Sequence, residues 1–375
     1  MYNCVAECHH SACHFSAGSS KWPGRWTKTF GGSKMKKTLQ FSLVMLLVLS
    51  VVLAGCGKKS SNDGGKERAS KGSDIKIGMV TDMGGINDKS FNQSSWEGLK
   101  QLEKETGAKV KNLESKTDAD YVPNLTQFAS EKYALTWGIG QTIDKAMKTV
   151  ADQNKDAKFA IIDNMVEAPN VHSVVFAENE GSFLAGVVAG LMTKTNKVGF
   201  VGGMEIPVIK RFEAGYVAGV KAANPNVEVK VNYTGAFDKP DQGKSAASTL
   251  YNDGADIIFH AAGNTGNGVF NEAIDREKQG KKVWVIGVDK DQSLEYGDKV
   301  TLTSMIKKVD EAVIKISKTV IDGKFEGGKT TVLGLKDNGV GLADTSKKNV
   351  PEDVLKKVDE FKDKIIKGEI KVPEQ

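Results

Sequence analysis

From Asp74 onward the chain alternates between short apolar runs and longer amphipathic segments, and this rhythm limits the fold more than any other feature. Ile75–Val80 is mostly apolar and leads into a Gly/Asn/Asp-rich turn, so it reads as a buried strand. Ser90–Glu105 carries Phe91, Trp96 and Leu99 against a charged opposite face, which predicts a helix with one buried side. The same reading predicts strands at Leu135–Ile139, Phe159–Asp163, Lys197–Gly202, Asp256–His260, Val283–Asp289 and Thr301–Ile306. Helices are expected at Ile143–Asp152, Phe183–Thr193, Arg211–Ala223, Lys244–Asn252, Val269–Gln279 and Val309–Asp322. Strands alternating with helices imply parallel sheets covered on both faces, hence an α/β fold. A body of about 300 residues exceeds the usual size of one core, so two lobes are expected.

The chain also resembles itself. Phe91 is followed seven residues on by Gly98-Leu99-Lys100, and Phe212 by Gly219-Val220-Lys221 at the same spacing. Each helix start leads to a later apolar strand ending in Asp, Asp163 in the first half and Asp289 in the second. The repeated order predicts two similar lobes. Ligands of parallel α/β sheets bind outside the carboxyl ends of the strands. Both Phe residues and both Asp residues fall there, so facing strand ends would make a cleft.

The segment before the body reads as export machinery. Met35-Lys36-Lys37 precedes an apolar run, Leu39–Val52, which ends in Leu53-Ala54-Gly55-Cys56. A basic start, a short apolar stretch and small residues at its end form a secretory signal peptide. Its last four residues resemble the lipobox of bacterial lipoproteins, whose cysteine carries the lipid; Cys56 is therefore the expected lipidation site. Residues 1–34 are expected to be a leader or misassigned start. Their Cys4, Cys8 and Cys13 beside His9, His10 and His14 match no structural zinc spacing, so no metal site is expected. Residues 1–55 hold six of the 52 Lys/Arg and one of the 47 Asp/Glu, leaving 46 of each in the remainder. A neutral body has no basic footprint for nucleic acid. Residues 56–73, rich in Lys, Ser, Gly, Asn and Asp, read as a flexible tether.

Ile77–Gly98, with Asp88-Lys89-Ser90-Phe91-Asn92 at its centre, resembles the opening of the basic membrane protein family of substrate-binding lipoproteins, the purine-nucleoside-receptor type. Phe159–Asp163, Gly263–Phe270, Val285–Asp289 and Thr303–Asp310 continue the resemblance in order. It implies a two-lobed type I periplasmic-binding-protein-like fold, each lobe a parallel sheet flanked by helices. Lobe 1 is expected over 74–178 plus about 301–325, and lobe 2 over 179–300 plus about 326–375. The implied protein is a monomer, not an enzyme. It is held on the extracytoplasmic face of the cell membrane by its lipid, binds purine nucleosides without a cofactor and serves an ABC transporter permease. Two departures stand out: Lys290 follows Asp289 where a smaller or neutral residue is expected, placing a cation at the pocket rim, and Ala134 replaces an expected Asp.

The resemblance assigns roles that suit a nucleoside. Phe91 and Phe212 would sandwich the base, since stacked aromatic faces add about 0.5–1.5 kcal/mol beyond burial; each could also be helix-start core. Asp289 would accept from both ribose hydroxyls, or serve as a helix cap. Asp163 would read base N–H donors, with Asp88 and Asn92 completing that edge; Asp88 could equally cap the helix behind it. Lys307 would approach the ribose or neutralise Asp289, and Gly263 would let backbone approach the ligand. The loop Gly263–Gly268 lacks both the P-loop and the dinucleotide spacing. His172 and His260 stand isolated, with no serine elbow or metal partner, and packing is expected for His260. The alternatives are a nucleoside-cleaving surface enzyme and a receptor for a sugar or another small ligand on the same fold.

Overall fold

The computed structural model describes residues 74–375. The expected leader, signal peptide, lipidated Cys56 and tether lie outside them. The described chain forms two six-stranded sheets. Sheet 1 contains β1 (Lys76–Val80), β2 (Lys109–Leu113), β3 (Leu135–Ile139), β4 (Phe159–Ile162), β5 (Val171–Phe176) and β11 (Thr330–Leu333), in the order β11-β5-β4-β3-β1-β2. Sheet 2 contains β6 (Lys197–Gly202), β7 (Glu228–Tyr233), β8 (Ile257–Ala261), β9 (Trp284–Asp289), β10 (Thr301–Lys307) and β12 (Val340–Leu342), in the order β12-β10-β9-β8-β6-β7. Every pairing is parallel except β10 with β12. The inner strands are buried on both faces, as parallel strands under helices must be.

The helices are α1 (Phe91–Thr106), α2 (Tyr121–Ser130), α3 (Asp144–Gln153), α4 (Glu178–Met192), α5 (Pro207–Ala223), α6 (Pro240–Asn252), α7 (Gly266–Lys278), the single turn α8 (Ser293–Tyr296), α9 (Val309–Ile321) and α10 (Glu352–Ile366). No described helix is long and apolar enough to cross a membrane. α4 is apolar on almost every side and nearly all buried, because α5, α10 and sheet 2 surround it. Its expected start at Phe183 falls five residues late: Glu178 and Glu180 read as surface, yet Glu178 is fully buried.

The chain crosses between the sheets three times, at 176–178, 307–309 and 333–340. This corrects the expected lobe boundaries. β10 pairs with β9 in sheet 2, so 301–307 belongs to the second lobe, and of the segment 301–325 only the part with α9, packed on α1, returns to the first. β11, expected in lobe 2, pairs with β5 in sheet 1.

The repeated Phe-to-Gly spacing has a packing cause. A Cβ on Gly219 of α5 would lie 2.0 Å from the Phe183 carbonyl oxygen of α4, and one on Gly186 of α4 would lie 2.2 Å from that of Tyr216. In the first lobe, a Cβ on Gly98 of α1 would meet the Asp310 carbonyl of α9 at 2.7 Å. Both helices start at the cleft and are pressed backbone to backbone onto a neighbour. Gly219→Ala should therefore destabilise the fold by about 1–3 kcal/mol through overpacking. Gly341→Ala, where nothing lies within 4 Å, should be near neutral. Urea unfolding midpoints compare the two, and equal midpoints would refute the tight-packing account.

Candidate ligand-binding cleft

Strand ends of both sheets converge on one cavity lined by residues of both lobes, the place where parallel α/β sheets bind ligands. β1 leads to Asp82, β4 to Asp163, β8 to Gly263, while β9 ends in Asp289 and β10 in Lys307; all five residues line the cavity. Asp163 and Asp289 share an unusual backbone, with φ of +70° and +67°. Holding a non-glycine residue in the left-handed region costs free energy, and it persists where surrounding structure over-determines it. The two carboxylates are thus presented in matching geometry from the two lobes. Gly263, at φ +52°, adopts the same region without a Cβ penalty.

α1 and α5 bring Phe91 and Phe212 to the cavity, as the internal repeat predicts. Phe212 also touches core, its ring centroid 6.3 Å from that of Phe259. The Lys307 ammonium lies 4.6 Å from the Phe91 centroid and 5.4 Å from those of Phe176 and Phe212. It bonds Asp163 Oδ2 at 2.6 Å and has Asp289 Oδ1 and Glu178 Oε1 each at 3.9 Å. Burial disfavours its charge, but Asp163, Asp289 and Glu178 together outweigh that and raise its pKa. For Asp289 and Glu178 burial outweighs the attraction of the ammonium. Burial pushes Asp289 up to about 6 against the pull of Lys307 and the Ser90 hydroxyl, which donates to Oδ2. Burial likewise raises Glu178, although Lys307 and Arg211 oppose it.

Asp88 lines the cavity, yet both its oxygens are occupied by the helix behind it. Oδ1 accepts the N–H groups of Ser90 and Gln93 at 2.9 and 3.0 Å, and Oδ2 accepts those of Asn92, backbone at 2.8 Å and side chain at 3.2 Å. These bonds hold the first turn of α1, and with it Phe91 and Asn92. Asn92 Nδ2 also donates to Asp82 Oδ1 at 2.7 Å. With two carboxylates on its nitrogen, the amide must turn Oδ1 away from them. Asn92 Oδ1 and Asp163 Oδ1 are buried and have no hydrogen-bond partner among the described residues.

Several cleft residues escaped the sequence reading. Asp82, which burial raises to about 6, lies two residues past the end of β1, so the strand-end signal that marked Asp163 and Asp289 could have found it. Gln141 lines the cavity and accepts the Val208 N–H at 3.0 Å, lobe to lobe, a contact with no local signature. Arg211 joins Glu178 at 2.8 Å, and Phe237 adds a fourth ring to the surroundings. Lys290, expected at the pocket rim, instead pairs with Glu97 and Glu295 outside the cavity lining. His260 is core, as expected, with Nε2 2.9 Å from Gln292 Oε1. No cluster suited to a metal ion occurs among the described residues.

Two parallel α/β lobes joined by three crossings, with facing strand ends around a small-molecule cavity, define a periplasmic-binding-protein-like receptor. The comparisons agree. A solute-binding protein of an ABC transporter system from Aeropyrum pernix K1 superposes with a TM-score of 0.74 at 30% identity, over 80% of this chain and 94% of that one. Residues 75–375 match the family described as ABC transporter substrate-binding protein PnrA-like, and the chain belongs to that family. Among its relatives, a CD4+ T-cell-stimulating antigen of Listeria innocua is 46% identical over 91% of this chain and 99% of the relative. The ABC transporter nucleoside-binding protein BmpA of Lactococcus lactis is 38% identical over 90% and 99%. The protein is thus an extracytoplasmic substrate-binding component of an ABC transporter.

Proposed function

We propose that this chain captures purine ribonucleosides in the cleft and delivers them to an ABC importer, anchored to the membrane by lipid on Cys56. One observation carries the reading. The cavity combines two aromatic rings from opposite lobes with buried acceptors that lack partners, Asn92 Oδ1 and Asp163 Oδ1. A purine offers two faces to the rings and N–H edges to the acceptors. Asp289, presented from the other lobe, suits the vicinal ribose hydroxyls, with Ser90 and Lys307 fixing its orientation. Asp88 acts through the helix start that it caps. The Lactococcus lactis relative, named as nucleoside-binding, supports the same ligand class.

Calorimetry with guanosine, inosine and adenosine against ribose tests the ligand class, and recovery of intact guanosine separates a binder from a cleaving enzyme. Heat only with ribose would overturn the nucleoside reading. Within it, Asp289→Ala should weaken ribonucleosides by about 1.5–3 kcal/mol, roughly tenfold to a hundredfold, and spare 2′,3′-dideoxy analogues. Equal losses for both would remove Asp289 from the ribose. Asp163→Ala should instead discriminate among bases.

A further inference from the structure

Along one edge of the cleft the lobes bond directly to each other, outside the cavity. The segment 89–97 of lobe 1 faces 288–296 of lobe 2. Lys290 Nζ lies 3.0 Å from both carboxylate oxygens of Glu97, with Glu295 of its own lobe behind it at 3.5 Å. Lys89 returns the contact, its ammonium 4.6 Å from the Tyr296 ring centroid. Between these two sits Gln292, fully buried, donating from Nε2 to the Lys89 carbonyl at 3.0 Å. Its amide cannot be turned round. Oε1 accepts the Val288 N–H at 2.9 Å and faces His260 Nε2 at 2.9 Å, so the donor side must point across the cleft. Its backbone N–H is held in turn by Ser304 Oγ at 3.1 Å. Lobe 2 thus presents a rigid donor and a cation to a carbonyl and a carboxylate of lobe 1.

We propose that this seam is an affinity-setting latch, in which Lys290, Gln292 and Glu97 are positioning residues that bias the lobes toward closure without touching ligand. A two-lobed receptor binds in proportion to the fraction of molecules that reach the closed form, so contacts made only on closure raise affinity for every ligand alike. The residue that departs from the family expectation, Lys290, supplies the ionic part. The inference rests on contacts between lobes and is independent of which small molecule fills the cavity.

The test uses full-length protein in detergent with charge reversals at the exposed end of the seam, which leave the core and the cavity lining intact. Hydrogen exchange is followed by mass spectrometry over 89–97 and 288–296, with the outer strands β2 and β7 as controls. Lys290→Glu and Glu97→Lys should each speed exchange in the two seam segments about fivefold, as expected for breaking a partly exposed ion pair. The double reversal should restore part of the protection, with Glu295 still repelling the reversed charge at position 290, and the controls should not move. With guanosine, each single reversal should raise the dissociation rate by a similar factor, with association changed less than about twofold. Seam exchange unchanged in both single variants, or no recovery in the double, overturns the latch whether or not guanosine binds. A latch seen by exchange without any guanosine binding would instead count against the nucleoside reading.

Discussion

Lys307→Met should lose nucleoside binding and melt at markedly lower temperature near neutral pH. The wild-type ammonium is almost fully buried, bonded to Asp163 and 3.9 Å from both Asp289 and Glu178. Methionine keeps the aliphatic stem among the rings of Phe91, Phe176 and Phe212 but leaves buried Asp163 and Asp289 with no cation and Glu178 with Arg211 alone. Breaking a buried ion pair by removing one partner costs about 3–5 kcal/mol. For a body of this size that is roughly 10 °C in melting temperature. The cost has an escape route, because protonating one or more carboxyl groups relieves the repulsion. Burial already biases Asp289 and Glu178 toward the neutral form. The variant should therefore recover much of its stability at pH 5, a rescue that simple loss of packing would not give. Differential scanning calorimetry at pH 7.5 and pH 5 separates the two. An unchanged melting temperature at pH 7.5 would show that the ammonium does not hold the acid cluster.

Much of this centre was legible in the sequence, for reasons that can be named. The inner strands β3, β4, β6, β8 and β9 are buried on both faces and so appear as apolar runs. The outer strands were missed. β2 (KVKNL) and β7 (EVKVNY) carry charged residues because one edge and part of a face meet solvent. β11 is four residues long and finds β5 some 150 residues away, so no local pattern announces it. At the site, strand-terminal Asp163 and Asp289 were visible as sequence punctuation, but their left-handed backbone was not. The apolar runs before them suggested extended strand to the last residue. Glu178 was hidden for the opposite reason. A carboxylate at a helix start reads as a solvated end, and only Arg211 and Lys307, brought from distant segments, make its burial tolerable.

Stability and affinity should respond to pH in opposite directions. Burial raises Asp82, Asp88 and Asp289 from 3.8 to about 6, against hydrogen bonds that favour their charged forms. Each takes up a proton more readily in the folded chain than in the unfolded one. The stability gained by protonation is thus complete below pH 3.8 and lost as pH rises through about 6. A shift of about two units corresponds to about 2–3 kcal/mol for one group, and neighbouring carboxyl groups share rather than add such gains. Their contribution to the melting temperature without ligand should therefore grow as pH is lowered from 8 to 5, while buried His260, lowered from 6.5 to about 4, opposes it below pH 6.5. A nucleoside hydroxyl or N–H bonds an ionised carboxylate more strongly than a neutral carboxyl group, so the extra stabilisation by guanosine should shrink across the same interval. At saturation a hundredfold above the dissociation constant it is worth about 2.7 kcal/mol. Thermal scans at four pH values, with and without guanosine, read both slopes at once. Asp82→Asn, neutral at every pH, should flatten the ligand-free slope. A ligand-free slope steeper in Asp82→Asn than in the wild type would mean that Asp82 is stabilised as an anion, contrary to the dominance of burial.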